Sequence, residues 1–181
     1  MDGQMAHTPV DPDGLMEFSV VFTDRSLNSM SKAFQQVMRD CSAMLKEVYA
    51  ADAVAIVPGG GTFGMEAVAR QFGTNANCFI LRNGWLSYRW SQIFDAGGFA
   101  AETTVKMAHQ TGNDSRAPFA PAPIEDVAQA IRDAKPDVVF APHVETSAGM
   151  ILPDDYLKAM ADAAHDVGAI MVLDCIASGC I

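Results

Sequence analysis

From Ser29 onward the apolar residues Met30, Phe34, Val37, Met38, Cys41, Leu45 and Val48 recur at steps of three and four. That is the period of one buried face on a long amphipathic helix. The pattern then changes. ADAVAIVP (51–58) is too short and too rich in valine and isoleucine for a helix, and Pro58 and three glycines bound it, which predicts a buried strand. A helix over 62–72 follows, then NCFILRN (77–83) as a strand, SYRWSQIFDAGG (87–98) as a helix with a glycine stop, and FAAETTVKM (99–107) as another strand. TGNDSRAPFAPAP (111–123) mixes proline, glycine, asparagine and serine, and reads as irregular surface chain rather than a domain boundary. Beyond it IEDVAQAIRDA is a helix with Pro123 at its start and PDVVFAP a strand. PDDYLKAMADAAHDVG is a helix opened by Pro153 and closed by Gly168, and AIMVLD is a strand.

Strands that are apolar throughout, alternating with helices, indicate parallel βαβ units whose sheet is covered on both faces. The fold class is α/β: three layers, a mostly parallel sheet between helices. In such sheets ligands gather at the carboxyl ends of the strands. The segments that follow the apolar runs are PGGGT, RNGW, APHVETSAG and DCIASG.

Composition restricts what these segments can bind. The 181 residues carry 22 acidic and 12 basic side chains, a formal charge of −10. Such a field repels nucleic acid and anionic lipid, so a bound anion must be caught by local dipoles or a few placed donors. Cys41, Cys78, Cys175 and Cys180 show no metal-type spacing and fit reduced thiols in a cytoplasmic protein. The first residues lack the pattern of a secretory signal, and no run approaches membrane-spanning length.

Gly59, Gly61 and Gly64 formally satisfy GxGxxG. A dinucleotide site, with Arg82 as an NADP-type arginine, is therefore one reading, although no Asp or Glu closes the following strand. A P-loop is excluded because no Gly-Lys-Ser/Thr follows. The same geometry also suits a single phosphomonoester held by helix-start NH groups and the Thr62 hydroxyl, or simply a tight turn. At the end of AIMVLD, Asp174 stops an apolar run and needs a cation, which a structural ion pair or a protonated heterocyclic nitrogen would supply. His143 and Glu145 straddle a valine, but two ligands make no metal site, and a structural hydrogen-bonding role is expected of them. His165 suits the last turn of its helix.

PGGGTFGMEA, RNGWLSYRW, PHVETSAG and VLDCIASG, in this order and at these separations, resemble the class V aminotransferases of the fold-type I pyridoxal phosphate enzymes. The likeness is greatest to the alanine-glyoxylate and serine-pyruvate group, and it spans about 18–181. It implies pyridoxal 5'-phosphate as cofactor, its phosphate held at Gly60, Gly61 and Thr62. It further implies that Asp174 pairs with the pyridine nitrogen and that the Thr146 hydroxyl lies beside the ring. Where the family commonly has serine, position 60 is glycine. Where the family stacks an aromatic ring on the cofactor, this chain has Leu86, which can close the apolar face of the ring. Core is the more frequent fate for the neighbouring Trp85.

The resemblance also implies what the chain lacks. Lys32, Lys46, Lys106, Lys135 and Lys158 all precede Asp174. The Schiff-base lysine is expected beyond Ile181, so no catalytic residue is assigned and this chain alone is expected to be inactive. The expected organisation is a flexible segment over 1–17 and an incomplete cofactor-binding large domain over 18–181, without the small C-terminal domain. The implied activity of the intact protein is transamination between alanine or serine and glyoxylate or pyruvate, by a homodimer. An NADP-dependent oxidoreductase and a non-catalytic α/β module are the alternatives.

Overall fold

The computed structural model describes residues 29, 30 and 32–179, which fall into two compact units divided between Val57 and Pro58. The expected flexible segment 1–17 lies outside the described residues.

In the first unit the periodic stretch forms helix α1 (Lys32–Val48), but none of its residues is buried, and Val37, Met44 and Val48 are exposed. Periodicity decides which side chains share a face and carries no information on what covers it. ADAVAIVP departs from expectation more sharply. Residues 51–57 form no strand, and Ile56 and Val57 are exposed. A strand exists only as one member of a ladder, because its NH and CO groups need a neighbour, and β-branched composition alone does not provide one.

The second unit runs in chain order through α2 (Gly61–Gly73), β1 (Asn77–Arg82), α3 (Trp85–Gly97), β2 (Glu102–Met107), β3 (His109–Gln110), β4 (Phe119–Ala120), α4 (Ile124–Ala134), β5 (Val138–Pro142), β6 (Val144–Glu145), β7 (Met150–Ile151), α5 (Asp154–Asp166) and β8 (Ile170–Asp174). The four longer strands form one sheet in the order β2-β1-β5-β8, every pair parallel. The segment 111–123 is less irregular than expected, since Phe119 and Ala120 pair antiparallel with β3. A second small hairpin, β6–β7, follows β5 directly.

Alternation along β1 divides the core in two, because successive side chains of a strand point to opposite faces. Cys78 and Ile80 join Trp90, Ile93, Phe94 and Phe140 beneath α2 and α3. Phe79 and Leu81 join Val127, Ile131, Val139 and Met160 beneath α4 and α5. Both faces are therefore covered, which is why these strands read as unbroken apolar runs. Trp90 and Phe140 meet at 4.7 Å between ring centroids, tying α3 to β5. Acidic pairs open α4 (Glu125, Asp126) and α5 (Asp154, Asp155), and His165 ends α5, all favoured by the helix dipole. Among the described residues no helix is long and apolar enough to cross a membrane.

The chain leaves β1 through α3 to β2 on one side, and then crosses through α4 to β5 on the other. The order thus reverses between β1 and β5, and an open α/β sheet leaves a crevice at that point, outside the carboxyl ends of its strands.

Candidate functional site

The crevice is closed at its base by Glu145, only 1% exposed. Its carboxylate accepts the backbone NH groups of Leu86 and Ser87, both at 2.9 Å, and the Ser87 hydroxyl at 2.6 Å. The Ser147 hydroxyl donates to the same carboxylate and accepts the NH of Trp85 at 2.9 Å. Glu145 is thus the N-terminal cap of α3, supplied from a strand on the other side of the crevice. Burial by itself would raise its pKa. The hydrogen bonds from Ser147 and Ser87 and from the NH groups of Ser87 and Leu86 outweigh burial and hold the carboxyl below its ordinary value. Gly84 makes this approach possible: a Cβ there would lie 2.7 Å from Glu145 Cγ and from Ser147 Oγ.

The glycine turn lies at the same end of the sheet as the last strand. Gly60 is the N-cap of α2 and makes no side-chain cap, so the NH groups opening this helix are left to other acceptors. A Cβ on Gly61 would sit 2.6 Å from Ile176 Cδ1, two residues beyond Asp174. Gly59 has φ of +127°, a conformation that favours glycine. Asp174 ends β8 opposite Pro142 of β5; its Oδ1 accepts the Ile176 NH at 3.1 Å, and its carbonyl accepts the His143 NH at 2.9 Å. No cation of the described residues reaches its carboxylate.

Contacts connect these points in a ring. Gly61 lies on Ile176, and the Asp174 turn is bonded to His143, which leads to Glu145. Glu145 in turn holds Leu86, one turn before Arg89 on α3. The Arg89 guanidinium closes the ring by donating to Thr62 Oγ1 at 3.0 Å, and to Gln92 Oε1 at 3.1 Å. Arg70, Arg116 and Arg132 pair with Glu66, Asp114 and Asp166, whereas Arg89 has no carboxylate partner among the described residues. It is a cation placed at the start of α2, and sequence reasoning missed it because nothing local links position 89 to position 62.

Of the six residues expected at a cofactor, Gly60, Gly61, Thr62 and Asp174 stand around this ring. Leu86 is half-buried with its NH on Glu145, and Thr146 is exposed on the turn between β6 and β7. Trp85 is not core: it is 59% exposed beside Tyr88, and the core tryptophan is Trp90. The cluster is an open face, since 59–63, Thr146 and Ile176 are all exposed. His143 shares a hydrogen bond with the buried Ser178 at 2.7 Å. Neither His143 nor Glu145 belongs to a metal-type cluster among the described residues. Cys41, Cys78 and Cys175 are free thiols, and burial, with the nearby Asp137 carboxylate, pushes Cys78 up to about 11. The dinucleotide reading loses its context, because among the described residues no strand precedes the GxGxxG, and Arg82 faces Tyr88, Ser91 and Met107.

No sequence-family model matches the chain. Solved structures do. Ureidoglycine-glyoxylate aminotransferase from Bacillus subtilis superposes with a TM-score of 0.68 at 24% identity, over 84% of this chain and 37% of its own. Alanine-glyoxylate aminotransferase from Nostoc sp. gives 0.66 at 21% identity, over 84% and 38%. Cystalysin from Treponema denticola, whose crystal structure contains a pyridoxal 5'-phosphate cofactor, gives 0.57 at 10% identity, over 77% and 34%. The chain spans well under half the length of each of these proteins. Over that span it shares the fold of these aminotransferases, a mostly parallel sheet covered by helices.

Proposed function

We propose that this chain is the cofactor-binding part of a pyridoxal phosphate-dependent aminotransferase, acting in the intact protein between a small amino acid such as alanine or serine and glyoxylate or pyruvate. The observation that carries the reading is the contact ring. It joins an uncapped helix start to an arginine and a carboxylate that, among the described residues, have no partner of opposite charge, at the carboxyl end of one parallel sheet.

The donor set fits the cofactor. Gly60 leaves open space for an anion against the first NH groups of α2, Gly61 lets the helix start lie against Ile176, and Thr62 Oγ1 and the Arg89 guanidinium add a hydroxyl and a full charge. Asp174 holds a proton at the ring nitrogen. When bound, the protonated ring supplies an electron sink for the substrate's α-carbon. Leu86 covers one apolar face and excludes water there, and the Thr146 hydroxyl orients the ring edge. Glu145 acts on none of these atoms; it holds the N-terminus of α3 where Leu86 and Arg89 face the ring of contacts. A lysine outside this chain completes the reading, as do homodimeric assembly, which sedimentation reads, and a cytoplasmic setting in keeping with free thiols.

Pyridoxamine 5'-phosphate carries no aldehyde and cannot modify lysines, so its calorimetric titration into the chain reads non-covalent binding. Saturable binding is expected, weakened about tenfold or more by Asp174→Ala and by Arg89→Gln, the loss of one charge-assisted contact each. Equal affinity in all three proteins would overturn the proposal.

A further inference from the structure

A second hollow lies at the carboxyl ends of β1 and β2, and the proposed cofactor site does not use it. It is a shallow hollow of about 460 Å³, open to solvent, lined by Arg82, Asn83, Trp85, Tyr88, Met107 and Phe119. Its cation is poorly matched. The Arg82 guanidinium stacks over the Tyr88 ring at 5.0 Å, and its two hydrogen bonds go to the Ser91 hydroxyl at 3.4 Å and the Met107 thioether at 2.8 Å. A thioether is a weak acceptor, a guanidinium offers five donors, and no carboxylate of the described residues lies within ion-pairing distance. In a chain with net charge −10 such an arginine is conspicuous.

Asn83 supplies the second observation. It lines the same hollow and is 3% exposed, and its amide nitrogen and oxygen, both buried, have no hydrogen-bond partner among the described residues. Leaving a buried amide unmatched is costly, so it marks a strained spot in the wall of the hollow. The third observation is the wall. Trp85 and Phe119 are 59% and 53% exposed, and with Tyr88 they offer flat apolar surfaces beside the guanidinium. A planar fork of donors suits a carboxylate, and the flat walls suit a planar body.

We propose that this hollow binds a small planar monocarboxylate, with the carboxylate on the Arg82 guanidinium and the flat body between Trp85, Tyr88 and Phe119. The site is separate from the glycine turn and Asp174, and the proposal does not depend on the aminotransferase reading. The probe is benzoate, with benzyl alcohol as the uncharged control, added to the ¹⁵N-labelled full chain and followed by heteronuclear NMR and by tryptophan fluorescence.

Benzoate is expected to shift the Arg82 Nε–H, the Asn83 side-chain amide and the Trp85 indole together on one saturable curve, and to quench the exposed Trp85. Arg82→Gln should weaken binding about tenfold or more, the cost of one charge-assisted pair. Trp85→Phe should abolish the quenching while the Arg82 shift remains. Shifts confined to other residues, an equal response to benzyl alcohol, or an unchanged affinity in a folded Arg82→Gln protein would overturn the proposal. Should Arg82→Gln fail to fold, the location of the shifts in the unsubstituted chain decides the matter alone.

Discussion

A single carboxylate organises the carboxyl end of this sheet. Glu145 has almost no contact with solvent, yet it remains charged because four donors converge on it, two of them backbone NH groups at the start of α3. Its folded pKa lies below the ordinary carboxylate value of 4.5. The sign follows: the unfolded chain takes up a proton first, so this group's stabilisation is complete above the unfolded value and is lost as pH falls through the lower, folded one. Glu145→Gln turns an amide NH₂ toward donors and should cost about 1–3 kcal/mol at pH 7. Urea unfolding between pH 3 and 7 checks this, with the gap between the two proteins narrowing below about pH 4.5. The role was out of reach of sequence reading, since Leu86 and Ser87 lie 59 and 58 residues away from Glu145. A hydrogen-bonding role as such was legible, because a lone His–Glu pair lacks the ligands for a metal. Which donors it would satisfy depends on a crossover that only the folded sheet creates.

At the scale of elements, the legible parts carried an apolar run or marked ends, and of the runs only β1 and β5 are buried on both faces, β8 being a partly exposed edge strand. β1, β5 and β8 announce themselves as apolar runs, and α4 and α5 by proline starts and charged ends. The two-residue strands β3, β4, β6 and β7 were not legible, for two residues carry no period. ADAVAIVP misled for the opposite reason: the composition suits a strand, but no ladder forms over 51–57. The junction of α3 with the β6–β7 hairpin yields a prediction of its own. Gly84→Ala places a methyl group within 2.7 Å of Glu145 Cγ and Ser147 Oγ. The helix start must shift, at a cost of about 1–3 kcal/mol. Thermal melts should show the loss, and combining the change with Glu145→Ala should cost less than the sum of the two, because they disturb one junction. Full additivity would place the Gly84 effect elsewhere.

Across the whole molecule, charge and fold bear on ligand choice in different ways. A net charge of −10 offers no general attraction for anions, so binding must rest on placed groups. Arg82 and Arg89, neither of which has a carboxylate partner among the described residues, stand on either side of the start of α3. One faces the flat-walled hollow and the other the glycine turn. The four ordered motifs made the architecture legible, and the superposed aminotransferases share it over about 84% of the chain. The central claim is that a single molecule bridges the start of α2 and the end of β8. Titrating pyridoxamine 5'-phosphate into the ¹⁵N-labelled chain tests it most directly, by following the amides of Gly61 and Thr62 together with those of Cys175 and Ile176. The account predicts that both groups shift with one shared dissociation constant; movement of one group alone, or two different constants, would contradict it.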